Sequence, residues 1–126
     1  MDPIKIILVG IGGLLGSVAR YITVKSITAK IPLAFPYGTL TANLVGSFIL
    51  GFVYGLALRK TDMSENVKLF WGVGFCGGYT TFSSLMWESV SLFNQKMAAT
   101  SVLYISTSLV LGILSLIAGM WLSRFL

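Results

Sequence analysis

The sequence predicts an all-α membrane protein of four transmembrane helices with a break in the third. Three observations predict the helices. Hydrophobic residues make up 56% of the chain and charged residues only 10%, with a mean hydropathy of +0.88. An average soluble domain carries about 25% charged residues. The few charges divide the chain into four runs close to the roughly 20 apolar residues that a spanning helix needs. The third run concentrates glycines and threonines at its centre. A soluble chain this short leaves much of its surface in water, and here too little charge is present to cover it. A disordered chain needs the opposite composition.

Each span is bounded by charge or proline. Ile6 to Ala19 is uncharged and the apolar pattern continues past Arg20 to about Val24, so the first span is expected near 4–26. No small-residue cleavage motif follows it, and it is expected to be retained rather than removed as a signal peptide. Lys25, Lys30, Pro32 and Pro36 mark a connector, and the uncharged run from Tyr37 to Leu58 places the second span near 38–59. Arg59 to Lys68 is a polar loop. The third span, near 66–94, carries Gly72, Gly74, Gly77, Gly78, Thr80 and Thr81 before Glu88 interrupts it. A Gly-Gly pair weakens a helix. Non-helical backbone at membrane depth survives only where protein or a wet cavity surrounds it. Residues 75–81 are therefore expected to form a functional break. Asn94, Gln95 and Lys96 make a tight connection to the fourth span, near 98–124. The whole chain, 1–126, reads as one transmembrane domain.

Several functions are excluded at this level. The chain has no histidine and one cysteine, so imidazole chemistry, intrachain disulfides and multi-cysteine metal sites are out. The net charge is +5, but the basic residues sit at span ends, where they anchor helices at the interface. Nothing resembles a nucleic-acid surface. With four spans, one side holds Lys5, Arg59, Lys60, Lys68 and Arg124, and the other holds Arg20, Lys25, Lys30 and Lys96. The positive-inside rule needs an asymmetry, and five against four is almost none. Either a slight imbalance fixes one orientation or copies insert both ways and pair antiparallel.

The polar residues fall on helix faces. Gly12 and Gly16, like Gly51 and Gly55, are small-xxx-small pairs that let helix backbones approach closely. Arg20 continues the Gly12/Gly16 face; it either snorkels or attracts anions at a pore mouth. Thr39, Asn43 and Ser47 recur every four residues, giving one polar face. The Asn43 amide is either interhelical glue or an anion donor. Thr81, Ser84 and Glu88 share a face in the third span. Glu88 reads as a structural ion pair or cap near Lys96, or as a proton-coupling carboxylate. Ser101, Tyr104, Ser108 and Ser115 form a stripe on the fourth. Residues 72–77, GVGFCG, match a dinucleotide fingerprint, but without a preceding strand the glycines serve packing or the break.

The chain resembles the Fluc/CrcB fluoride channels over essentially its whole length. The resemblance rests on Gly16-x-x-x-Arg20, Gly38-Thr39-Leu40-x-x-Asn43, the block Gly74-Phe-Cys-Gly-Gly-x-Thr-Thr-Phe-Ser83, and Tyr104 with Ser108. It implies a dual-topology homodimer, or a pair with a paralogous subunit, in the plasma membrane. Two pores along the subunit interface would pass fluoride passively and lower its toxicity in the cytoplasm. It also implies a non-transported structural Na⁺ held by the backbone carbonyls of Gly77 and Thr80. By motif, the fluoride path maps to Asn43, Phe82, Tyr104 and Ser108, with Arg20 near a vestibule. Thr39 and Ser84 add hydroxyls, and the electropositive edge of the Phe82 ring can face an anion. Two positions depart from the family pattern: Leu85 stands where a second phenylalanine is usual, and Tyr79 where an aliphatic residue is usual. Two other functional classes compete. One is a proton-coupled exporter of the small multidrug resistance kind, with Glu88 substituting for the carboxylate missing from the first span. The other is a non-transporting scaffold subunit.

Overall fold

The structure, a computed structural model, describes residues 1–126 and is entirely helical, without strands. Helix α1 (Pro3–Lys30) starts where the Asp2 carboxylate accepts the Ile4 N–H at 2.9 Å, with proline at the first helical position, a place where its missing N–H costs nothing. It runs a turn beyond the expected 4–26. Lys25 and Lys30 are good helix formers, and Pro32, two residues past the end, is the stop signal. Helix α2 (Tyr37–Arg59) begins directly after Pro36. These two bounds and those of the final helix, Ala98–Ser123, lie within a residue of expectation at all but the end of the first.

Residues 65–94 do not form one long helix. They divide into α3 (Glu65–Lys68), a π-helical stretch (Leu69–Cys76), α4 (Gly77–Tyr79), and α5 (Phe82–Asn94). Between α4 and α5 lie two extended residues, Thr80 (φ −91°, ψ 157°) and Thr81 (φ −150°, ψ 118°). The break is narrower than the expected 75–81, because Gly77 and Gly78 remain helical. The last helix is α6 (Ala98–Ser123), entered through a turn in which Lys96 takes a φ of 63°. Three helices, α1, α2 and α6, are long and apolar enough to cross a membrane.

Glycine contacts hold the helices together. A Cβ on Gly12 would meet the Phe70 carbonyl oxygen at 2.5 Å, and one on Gly16 would overlap the Phe75 carbonyl. A Cβ on Gly74 would come within 2.9 Å of the Val9 carbonyl, and one on Gly78 would overlap that of Gly13. The small face of α1 therefore lies directly on the backbone of the π-helical stretch and α4. The second seam joins α2 to α6, with Gly51 on the Leu116 carbonyl, Gly55 on Ser123, and Gly119 on the Phe48 carbonyl. Both small-xxx-small pairs pack as their spacing predicts.

The outward faces are apolar. Only 20 of 126 residues are buried, while Ile7, Leu14, Val18 and Ile22 on α1 and Leu103, Val110 and Ile117 on α6 are exposed. Patches this large need a non-aqueous surrounding. The ion pair lies outside this zone, with Lys5 Nζ 2.8 Å from Glu65 Oε2.

These contacts separate two glycines of one helix. Gly16→Ala is expected to destabilise the purified protein by about 1–3 kcal/mol, the usual cost of overpacking. Gly10→Ala, whose new methyl meets nothing within 4 Å, is expected to be neutral or slightly stabilising. Denaturant or thermal unfolding of the two variants in the same detergent measures the difference.

Candidate functional site

The Thr80–Thr81 break leaves backbone groups that helix geometry no longer serves. In a continuous helix the Thr81 N–H would close onto the Gly77 carbonyl. Here it donates to Asn43 Oδ1 at 2.7 Å, while Asn43 Nδ2 donates to the Thr81 carbonyl at 3.2 Å. One side chain on α2 thus satisfies both polar groups of Thr81, as a neighbouring strand would. The Thr80 hydroxyl and N–H both reach back to the Cys76 carbonyl, at 2.8 and 2.9 Å, and finish α4. The Thr81 hydroxyl accepts the Ser84 N–H at 3.1 Å and starts α5, a standard N-cap role. The Thr80 carbonyl accepts no hydrogen bond within the chain, and the Gly77 carbonyl has lost its helical donor.

From the other side α1 reaches the same turn. Arg20 Nε donates to the Gly78 carbonyl at 3.0 Å, so the arginine neither snorkels freely nor stands alone at a pore mouth. One turn further, the Thr23 and Tyr79 hydroxyls lie 2.9 Å apart.

Two cavities flank the break. The first, about 360 Å³, is lined by Asn43, Ser47, Gly77, Thr80, Thr81 and Phe82, among others. Phe82 is 72% exposed at its rim, so this cavity opens onto the outer face. The second, about 660 Å³, is lined by Arg20, Lys25, Thr39, Ser84, Trp87 and Glu88, among others. The sequence-predicted residues are thus divided: Asn43, Gly77, Thr80 and Phe82 meet at the first cavity, and Arg20, Thr39 and Ser84 at the second. Tyr104 is fully buried, and the Ser108 hydroxyl oxygen is buried with no hydrogen-bond partner; neither lines these cavities.

Glu88 joins the three polar faces. Its Oε2 accepts the Thr39 hydroxyl at 3.0 Å and its Oε1 the Tyr104 hydroxyl at 3.4 Å. The expected ion pair with Lys96 does not form; Lys5–Glu65 is the ion pair of the structure. The reason is geometric. Glu88 faces inward from α5 towards α2 and α6, whereas Lys96 lies in the exposed turn. The signal available in sequence was that Thr39, Glu88 and Tyr104 each sit on the polar face of a different span. Leu85 is buried and packs with Leu40, Leu92 and Tyr104.

The arrangement holds hydroxyl, amide and guanidinium donors and free carbonyls at one break, surrounded by apolar helices. Comparison with known proteins gives it a context. The profile of the family described as CrcB-like protein, Camphor Resistance (CrcB) matches residues 7–120. The protein named fluoride-specific ion channel FluC of Chlorobium chlorochromatii (strain CaD3) is 45% identical over 121 residues, which is 96% of this chain and 93% of that protein. The protein of that name from Agrobacterium fabrum (strain C58) is 44% identical over 122 residues, covering 96% and 97%. The one from Bacteroides fragilis (strain YCH46) is 40% identical over 123 residues, covering 95% and 96%. With its profile matched across most of its length and relatives this similar end to end, the chain belongs to the CrcB-like family.

Proposed function

We propose that this protein is a passive fluoride channel of the plasma membrane, working as an antiparallel dimer with pores at the subunit seam. The observation that carries the reading is the Thr80–Thr81 break, a cluster of donors and free carbonyls inside an apolar helical shell. The name of the relatives supplies the anion. The third element, from α3 to α5, makes the fourth crossing, so the chain ends lie on one side.

Fluoride is small and strongly hydrated, and its water must be replaced by donors. Ser84, Ser108 and the second amide hydrogen of Asn43 offer donors, the Thr39 and Tyr104 hydroxyls join them when turned from the Glu88 carboxylate to the anion, and Arg20 supplies positive charge near the larger cavity. The Phe82 ring, exposed beside Asn43 and Thr81, can turn an electropositive edge to an anion. An aromatic ring on the rim of an open cavity supports a second copy closing that side. The near-even distribution of basic residues supports insertion in both orientations.

The Na⁺ expectation fits this donor set. A hard monovalent cation takes backbone carbonyl oxygens, and the Thr80 carbonyl has no donor while that of Gly77 has lost its helical one. Gly77 also has open space beyond its Cα. Bound there, Na⁺ would supply fixed positive charge. Asn43 keeps the break extended so that these oxygens stay available, and Thr80 closes α4 behind them. The exporter reading gains nothing, since Asp2 only caps the start of α1 and Glu88 is held by hydroxyls.

Liposomes containing the protein are expected to release fluoride and retain chloride; retention of both by folded protein would overturn the reading. Phe82→Ala and Asn43→Ala are each expected to slow fluoride release at least about tenfold, equivalent to roughly 1.4 kcal/mol of barrier, measured with a fluoride electrode. Mixed orientation has its own readout. Impermeant labelling of a cysteine introduced beyond Leu126 is expected to modify about half the molecules in intact cells, the share that antiparallel pairing requires; labelling of none or all contradicts it.

A further inference from the structure

We infer that Tyr79 and Thr23 form a hydroxyl clamp that positions the Thr80 carbonyl for cation binding, a role that rests on the Na⁺ reading above. Tyr79 immediately precedes Thr80 and is the last helical residue before the break. Its ring is buried and stacks on Phe75, with centroids 5.7 Å apart and planes 12° apart. Gly46 on α2 makes room for the ring, since a Cβ there would stand 3.2 Å from Tyr79 Cδ2. The ring is therefore packed between Phe75 and α2, and its hydroxyl ends 2.9 Å from Thr23 Oγ1.

That hydrogen bond has a consequence for the backbone. The Arg20–Gly78 contact fixes the carbonyl one residue before Tyr79, and Asn43 fixes Thr81, two residues after it. Thr80 between them makes no side-chain hydrogen bond to either neighbouring helix: its methyl packs against Gly46 of α2, where a Cβ would overlap it, and its hydroxyl turns back to Cys76 within its own segment. The polar ties to other helices that steer its carbonyl therefore come from the two residues that flank it. Gly16, Arg20 and Thr23 follow one another at steps of four and three, one face of α1, so a single helix face carries both ties to α4. An aliphatic residue at position 79 could fill the ring's space but could not reach the Thr23 hydroxyl. Tyr79 is thus a positioning residue that touches no ion.

The test is thermal unfolding of the purified full-length protein, titrated with Na⁺ at constant ionic strength against N-methylglucamine. Tyr79→Phe removes one oxygen and keeps the stacked ring. It is expected to raise the Na⁺ concentration for half-maximal stabilisation about fivefold, the scale of one net hydrogen bond. Thr23→Val is expected to give the same shift, the double variant no further one, and Thr23→Ser the unaltered midpoint. A purely structural hydroxyl pair would lower the melting temperature equally with and without Na⁺ and leave the midpoint unchanged, which overturns the clamp while leaving the cation reading intact. Failure of Na⁺ to stabilise the unsubstituted protein overturns the cation reading and the clamp with it.

Discussion

The structure depends on the pairing of Asn43 with the backbone of Thr81. Lipid offers no hydrogen bonds, so every polar backbone group in a spanning element must find a partner inside the protein. Two extended residues in the middle of an apolar element violate that demand. The Asn43 amide meets it with an acceptor at 2.7 Å and a donor at 3.2 Å. Because both atoms of one amide are used, the side chain fixes the break's direction as well as its existence. Elsewhere the chain is ordinary helix; here it keeps a stable interruption that exposes a carbonyl and seats an aromatic ring beside it.

That interruption has to be pressed against its neighbours to be held, and glycine makes this possible. Gly12, Gly13 and Gly16 let α1 lie on the backbone around Phe70, Phe75 and Gly78. At that distance Arg20 and Thr23 reach the turn before the break. Packing and chemistry are therefore coupled. The same absence of side chains that brings two helices together brings charged and hydroxyl groups to the backbone they steer. On the far side, Glu88 gathers Thr39 and Tyr104 and fastens α5 to α2 and α6, so both halves of the broken element are anchored independently.

Much of this was readable in the chain, for identifiable reasons. The bounds of α2 and α6 follow from Pro36, Arg59 and the Asn94–Lys96 turn, which are local signals. The presence of a break follows from glycine and threonine in an apolar run. Its exact extent did not, because Gly77 and Gly78 can either unwind a helix or let a helix pack tightly; Gly78 packs on Gly13 and Ser17 of another helix, and Gly77 stays helical beside it with open space beyond its Cα. Lys25 and Lys30 read as a connector by charge, yet lysine is compatible with helix until Pro32 arrives. Glu88 was read against Lys96, eight residues away, while its partners lie at positions 39 and 104. Asn43 reads as interhelical glue or an anion donor, but its partner is a backbone, which carries no sequence signature. The resemblance named the motif residues, and only the fold separates them between two cavities.

The central claim is that the donor-lined break serves passive passage of fluoride between apolar helices. Planar-bilayer recording under opposed fluoride and chloride gradients, with no proton gradient, tests it most directly. The account predicts a current that reverses at the fluoride equilibrium potential and is unmoved by the chloride gradient. A current that reverses at the chloride potential, or transport that appears only when a proton gradient is imposed, would contradict it.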